Sequence, residues 1–309
     1  VSSLWGGIYL VKIAIIGDIH LCSTNYGSHK NYAKESLSYF EKEVEIAEAE
    51  KVGMFIHLGD LAQARFTTLE YRSQVEELFA RINSLTDNNF YSLRGNHDKA
   101  TYGMTEYDYY THKCLIKRAE HMTIDNVRLS MLDYGNEDCP ILPIDETKLN
   151  VLLGHNSYCW EGKFNDIFGK IVDFNKHKEW KGLNLAILGH LHTPMQFNGY
   201  IDGVETKVYY VGCPCRLSID HKDEKEGHVF ILDTETGNIV DRTYPLWSVE
   251  DSFAIADVKD LTQSTKVDVT DILNELTKHT VVGGNIEDKI MCLNIDNKYK
   301  DKALELLNG

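Results

Sequence analysis

The 309-residue chain has little of what places a protein in a specialised class. No apolar run approaches the ~20 residues that a membrane-spanning helix needs, since the longest, such as Lys12–Gly17 and Leu185–Gly189, are strand-sized. Its seven cysteines are odd in number and scattered from Cys22 to Cys292, so no disulfide framework is written into the chain. No basic segment followed by an apolar one opens the sequence, and the expected setting is reducing and cytoplasmic. Proline is scarce, at five, and 22 glycines without a fixed period exclude collagen-like repeats. Basic charge is also the minority, 32 side chains against 47 acidic ones, for a net charge of −15. That balance excludes a protein that coats nucleic acid non-specifically, though not one that meets DNA locally through bound cations.

What is present is an ordinary globular composition with a regular rhythm. Lys12–Gly17 (KIAIIG), Met54–Gly59 (MFIHLG), Phe90–Gly95 (FYSLRG), Val151–Gly154 (VLLG) and Leu185–Gly189 (LAILG) are short β-prone runs that each end in glycine. Between the first two, Ala33, Leu37, Phe40, Val44 and Ala47 form one apolar helical stripe, and the Glu-rich stretch Glu41–Glu50, with Glu41, Glu45 and Glu48, is expected to supply the wet face. Val75, Leu78, Phe79 and Ile82 repeat the pattern before the third run. Strands alternating with helices predict βαβ crossovers and a largely parallel sheet. Val127–Leu132, Lys207–Val211 and His228–Leu232 are further strands, and Asp233–Val240 is a hairpin turn, which predicts a second, more antiparallel sheet. After Trp247 a strand at Phe253–Val258, a helix over about Asp268–Lys278, a strand at Ile290–Ile295 and a short helix form a small α+β appendage. Val1–Leu10 is expected to be a leader or cloning scar outside the fold.

Each glycine-terminated strand is followed at once by a metal-competent residue: Asp18, Asp60, Asn96, His155 and His190. His20 and His192 follow two residues after Asp18 and His190, a spacing that in an extended loop turns both side chains the same way. Strand ends of an α/β sheet share one rim, so residues far apart in sequence meet there. Carboxylate, amide oxygen and imidazole without thiolate suit Mn²⁺ or Mg²⁺, with Fe²⁺ or Zn²⁺ as further candidates. Seven ligands suit two ions about 3.5–4 Å apart, with Asp60 as the shared carboxylate. Such a pair acidifies bound water and stabilises the entering and leaving oxygens of an in-line phosphoryl displacement. His97 is then the residue for transition-state stabilisation and leaving-group protonation, with Asp98 expected to orient its ring.

The ordered set Asp18-x-His20, Gly59-Asp60, Gly95-Asn96-His97-Asp98, Gly154-His155 and Gly189-His190-x-His192 resembles the calcineurin-like metallophosphoesterases. Within them the chain looks most like the SbcD-type nuclease subunits of DNA double-strand-break repair, phage versions included. Tyr210-Val-Gly-Cys-Pro214 and Glu226–Glu235 resemble that family's Gly-x-Pro turn and closing strand. The resemblance implies a β-sandwich of two mixed sheets flanked by helices over 11–247 and a partial DNA-capping domain over 248–309. It implies Asp18, His20, Asp60 and His192 on one metal, Asp60, Asn96, His155 and His190 on the other, and His97 as the catalytic histidine. It further implies a manganese-dependent exonuclease or endonuclease, a homodimer, DNA as substrate and an SbcC-like ATPase as partner. Cellular members often carry a second histidine three residues after the shared aspartate, where this chain has Gln63. The family also continues into helices that grip the ATPase, so with Gly309 as the last residue the resemblance implies either a truncated chain or a reduced partner contact.

Two other readings compete: a small-molecule or cyclic-nucleotide phosphodiesterase of the same superfamily, and a non-catalytic metal-binding scaffold. Asp98 in place of glutamate, and Leu61–Arg65 without a Val-Asp-Arg continuation, set the chain apart from the phosphoprotein phosphatases. Tyrosines in Thr101–Lys113 either border a DNA groove or pack a surface helix, and Tyr26, His29 and Lys30 either touch phosphates or are solvated. Cys213 and Cys215 are expected to pack rather than ligate, and His57 to be a hydrogen-bonded core residue.

Overall fold

A computed structural model describes residues 11–24, 29, 31–63, 68–99, 104–114, 116–118, 120–136, 139–159, 171–215 and 224–252. The leader at Val1–Leu10, Tyr26, Lys30 and the appendage elements from Phe253 onward lie outside the described residues.

The Gly-terminated runs form strands because their apolar residues have two buried faces to fill. β1 (Lys12–Ile16), β2 (Met54–His57) and β3 (Phe90–Ser92) run parallel, linked by α1 (Tyr32–Glu50) and α2 (Leu69–Thr86). Thr68 caps α2 by accepting the Tyr71 N–H, and Asp87 ends it in the left-handed conformation, φ 51°. The predicted stripe Val75, Leu78, Phe79 and Ile82 is buried. Phe79 meets Phe40 of α1 and Phe90 of β3, each pair of ring centroids 5.5 Å apart. α3 (Glu106–Lys113) leads to β4 (Lys117–Arg118), which pairs with β3. Tyr107 and Tyr110 of α3 are buried, and Tyr107 donates its hydroxyl to the Ser92 carbonyl at 3.0 Å. Tyr109 gives its hydroxyl to Glu76, so these tyrosines serve helix packing.

The second half of the chain builds β5 (Met122–Ile124), β6 (Val127–Leu132), β7 (Leu149–His155), the short pair β8 (Ser157–Cys159) and β9 (Ile171–Asp173), then β10 (Leu185–Gly189), β11 (Met195–Ile201) and β12 (Val204–Tyr210). The hairpin β13 (Glu226–Asp233) and β14 (Ile239–Pro245) follows. Two six-stranded mixed sheets result, ordered β14-β13-β1-β2-β3-β4 and β11-β12-β10-β7-β6-β5. The two-sheet expectation stands, but its membership is corrected. Of the late strands predicted to share a sheet, β12 lies parallel to β10 in the second sheet while β13 lies antiparallel to β1 in the first. Both lie second from the edge of their sheets and differ in what covers them: β12 alternates between solvent and core, whereas Val229–Leu232 of β13 is buried on both faces.

Alternate residues of the two sheets fill the space between them: Ile13, Ile15, Ile56 and Leu58 from one, and Leu129, Val151, Leu153 and Ile187 from the other. Each such buried side chain contributes roughly 1.5–3 kcal/mol. Trp180, Phe174, Leu152 and Leu188 form a second cluster with the other face of β7 and β10. The described residues fall into two compact units, one drawn from Val1–Ser23, Ala33–Cys215 and Glu226–Leu246, the other from Thr24–Tyr32, Arg216–Lys225 and Trp247–Gly309. In the second, His29 is buried edge-on against Tyr32, which corrects its reading as a solvated loop residue, and Ser248 caps α4 (Val249–Ser252). No helix among the described residues is long and apolar enough to cross a membrane.

One acidic residue of α1 departs from the wet-face reading. Glu43 is buried, accepts the Tyr244 hydroxyl at 2.9 Å, and has its other oxygen without a hydrogen-bond partner. Burial pushes its carboxyl up to about 8, against the pull of the tyrosine. Folded Glu43 thus keeps a proton that the unfolded chain releases near its ordinary value of 4.5. Stability from this group is complete below that value and is lost as pH rises toward 8. Glu43→Gln, which keeps the acceptor for Tyr244, should raise the unfolding free energy at pH 8 by about 1–3 kcal/mol relative to its effect at pH 4.5. Urea unfolding at the two pH values measures the difference.

Candidate metal centre

The parallel strands β1, β2, β3, β7 and β10 release their loops at a common end, where the predicted residues converge. Two groups form. Asp18, His20, Asp60 and His192 each offer a ligand atom within 4.8 Å of the others, and so do Asp60, His155 and His190, with Asp60 in both. Asn96 joins the second group: its Oδ1 lies 3.1 Å from His155 Nε2 and 2.9 Å from His190 Nδ1. All seven predicted ligands are therefore brought together. Asp18, His20, Asp60 and His155 are buried, and each group has a partly open side, at His192 in the first and at His190 and Asn96 in the second.

The convergence does not come from extended loops. His20, Asp60 and His190 have φ of 51°, 56° and 81°, in the left-handed region that non-glycine residues avoid. Each such residue costs of order 1–3 kcal/mol and persists where its surroundings fix it. Here the fixing contacts are visible. The Asp18 carboxylate accepts the His190 N–H at 2.9 and 3.0 Å, and the Asp60 carbonyl accepts the His20 N–H at 2.9 Å. Asp98 accepts the N–H groups of Asp60 and Gly95, each at 2.8 Å, and of Ala62 at 3.2 Å. That corrects the role expected of Asp98. Its buried oxygens are taken up by backbone donors, so it pins the Asp60 and Asn96 loops together, and the ring of His97 rests instead on Gln63, Nδ1 to Oε1 at 3.0 Å.

The glycines explain themselves by contact. A Cβ on Gly95 would lie 2.1 Å from Asp60 Oδ1 and 2.3 Å from Asp60 N, and one on Gly59, at φ 106°, would lie 2.6 Å from His155 Nδ1. The loops close on the ligands only without those carbons.

The donor chemistry fits cations. His155 Nδ1 lies 2.8 Å from the Leu58 carbonyl, which holds the ring proton there and turns the Nε2 lone pair inward. That lone pair faces Asn96 Oδ1 and, at 3.3 Å, Asp60 Oδ2. Asp60 Oδ1 accepts the His97 N–H at 2.8 Å, while Oδ2, fully buried, has no hydrogen-bond partner. Acceptors pointing at one another around an unsatisfied carboxylate oxygen are a cation-binding arrangement. The electrostatics are consistent with it. Burial alone would raise Asp60, but His155, His20 and His97 hold it well below the usual carboxylate range. Burial opposes charge on His155, yet Asp60 and Asp18 draw it up to about 9, so without a cation Nε2 holds a proton, which an ion would displace to reach the lone pair; burial with the Asp60 charge pushes Asp18 up to about 7 against the pull of His155.

Outside these ligands, Tyr134 borders the second group, its ring centroid 5.5 Å from that of His190, with the Lys99 ammonium 4.9 Å from the Tyr134 ring centroid. The sequence reading passed over both. A signal was present, because Leu132-Asp133-Tyr134-Gly135 repeats the pattern of an apolar strand ending in polar residues and glycine. His57 is buried and neutral, with burial lowering it to about 3 and its Nδ1 accepting the Gly59 N–H. Cys213 and Cys215 are buried thiols outside both ligand groups, donating to the carbonyls of Cys215 and Ile19.

Gly95→Ala should displace Asp60 and so cost about 1–3 kcal/mol in folding while weakening Mn²⁺ binding at least tenfold. Denaturation and calorimetric titration of the same preparation measure the two effects.

Comparisons place this architecture. None of the curated protein sequences matches the chain. Among solved structures, it is similar to a dimetal phosphatase from Danio rerio at 11% identity and a TM-score of 0.44, over 77% of this chain and 99% of that one. It is also similar to the sulfate thiohydrolase SoxB of Thermus thermophilus at 11% identity and a TM-score of 0.36, over 86% of this chain and 63% of that one. The sequence profile of the calcineurin-like phosphoesterases matches residues 11–210, the span that carries every ligand strand, and the chain belongs to that family.

Proposed function

We propose that the chain is a two-metal phosphodiesterase that cuts DNA at or near its ends, the nuclease subunit of a repair or recombination complex. The observation that carries the hydrolytic part is the shared, unsatisfied Asp60 oxygen between two ligand groups with His97 beside it. What supports DNA as substrate is the likeness of Tyr210–Pro214 and Glu226–Glu235 to SbcD-type subunits, while Asp98 in place of glutamate stands against the phosphoprotein phosphatases. On this reading an SbcC-like ATPase and a second copy of the chain are partners, residues 248–309 belong to a capping domain, and manganese is the working metal in the cytoplasm.

Asp18, His20, Asp60 and His192 would hold one ion, and Asp60, Asn96, His155 and His190 the other. When bound, the ions supply the positive charge that activates water and neutralises the phosphoryl oxygens. The chain does the rest. The His97 backbone N–H fixes the shared carboxylate, and Gln63 holds its ring by Nδ1, leaving Nε2 to meet the leaving oxygen. Exposed Lys99 and half-buried Tyr134 lie beside His190 of the second group, a cation and an aromatic ring suited to an anionic, base-bearing substrate. The two dications also offset, at the site itself, the acidic balance of the whole chain.

The test is hydrolysis of end-labelled duplex and single-stranded DNA with Mn²⁺, beside bis-p-nitrophenyl phosphate and a phosphopeptide. Cleavage of DNA that disappears in Asp60→Ala is the expected result. Cleavage of the small diester alone, with DNA intact even when an SbcC-type partner is supplied, would move the assignment to a small-molecule phosphodiesterase. His97→Ala should lower kcat by about 10²–10⁴-fold while both ions stay bound, as metal analysis of the purified variant would record.

A further inference from the structure

Gln63 lies where two imidazoles meet. It is 8% exposed, and its backbone N–H is fixed on the Leu21 carbonyl at 3.1 Å, so its amide has little freedom of place. The amide nitrogen is 3.0 Å from His20 Nδ1, and the amide oxygen is 3.0 Å from His97 Nδ1. His20 belongs to the first ligand group; His97 belongs to neither. A primary amide has one donating and one accepting end, so it imposes opposite tautomers on the rings it joins.

In the orientation observed, the amide N–H donates to His20 Nδ1, which leaves the His20 proton on Nε2, 3.2 Å from His192 Nε2. His97 then donates Nδ1–H to the amide oxygen. A cation on His20 requires the reverse. The Nε2 atom faces Asp60 Oδ2 at 3.7 Å, so the lone pair must be there and the proton on Nδ1. The amide must turn its oxygen to that proton, by a half-rotation that exchanges two atoms of nearly equal shape. Its N–H group then donates to His97 Nδ1, and the proton of His97 moves to Nε2.

We propose that Gln63 is a positioning residue that couples cation occupancy at His20 to the tautomer of His97. Without a cation, His97 carries its proton on Nδ1, facing the amide; with one, it carries it on Nε2, the nitrogen free to donate to a leaving oxygen. Each ring keeps one proton throughout, so the coupling changes no net charge. The inference rests on the two-metal reading, and it gives the residue that stands in place of the family's second histidine a role of its own.

The test is ¹⁵N-histidine NMR of the full chain, with the ring-nitrogen shifts of His20, His97, His155, His190 and His192 read without metal and with diamagnetic Mg²⁺ or Zn²⁺. The expected result is that His97 changes from the Nδ1–H to the Nε2–H tautomer when the other four signals report binding. In Gln63→Glu, which has acceptors at both ends and almost the same shape, His97 should stay Nδ1–H with metal bound. That variant should also lose about tenfold to a hundredfold in kcat with a smaller change in KM. Gln63→Leu, which removes both ends of the amide, should likewise break the link. If the four ligand signals move and His97 does not, or if His97 switches equally in Gln63→Glu, the coupling is overturned and the metal centre stands. If the ligand signals do not move at all, the two-metal reading fails and the coupling with it.

Discussion

The structure depends on one buried oxygen. Asp60 Oδ2 is enclosed, has no hydrogen-bond partner, and is ringed by imidazole nitrogens that would all be ligands to a cation. Gathering acceptors in a low-dielectric interior is unfavourable, and the effective cost of burying an ion in a protein is still several kcal/mol. A fold keeps such an arrangement only if it is over-determined from outside. Here three ligands adopt left-handed backbone, and every contact that holds them there comes from another loop: Asp18 on the His190 N–H, Asp98 on the Asp60 N–H, and the Asp60 carbonyl on the His20 N–H.

The two-sheet architecture supplies the rigidity this requires. β1, β2 and β3 deliver Asp18, Asp60 and Asn96 from one sheet, and β7 and β10 deliver His155 and His190 from the other. Between them the Leu58 carbonyl accepts the His155 ring, the Asp18 carboxylate accepts the His190 N–H and Asn96 Oδ1 meets both histidines, and the apolar interface of Ile13, Ile56, Val151 and Ile187 sets the distance over which these contacts act. Glycine at each strand end removes the carbons that would hold the sheets' loops apart, as Gly59 and Gly95 make plain by the atoms they touch. Packing, backbone conformation and ligand chemistry therefore point to the same centre, and catalysis inherits its precision from the core.

Much of this was legible in the sequence, for a physical reason. A buried strand must be apolar, a tight exit from it needs glycine, and a metal needs carboxylate or imidazole at once, so β1, β2, β3, β7 and β10 each write all three signals within a few residues. What was not legible depends on partners far along the chain. Nothing in Asp98 itself says that its oxygens are filled by Asp60, Ala62 and Gly95, or that the ring of His97 leans on Gln63 instead. Local pattern likewise did not separate β12 from β13, since what distinguishes them is the pairing partner, β10 or β1, which lies elsewhere in the chain. Glu43 looked like one more wet carboxylate because the hydroxyl that covers it arrives from Tyr244.

The central claim is that one carboxylate, Asp60, is shared by two cations. Electron paramagnetic resonance of the chain titrated with Mn²⁺ tests it most directly, because two Mn²⁺ ions bridged by a common ligand couple their spins. The account predicts two ions per chain and, at saturation, the multiline signal of a coupled pair, which Asp60→Asn abolishes. One ion per chain, or two ions giving only the signal of isolated Mn²⁺, would contradict it.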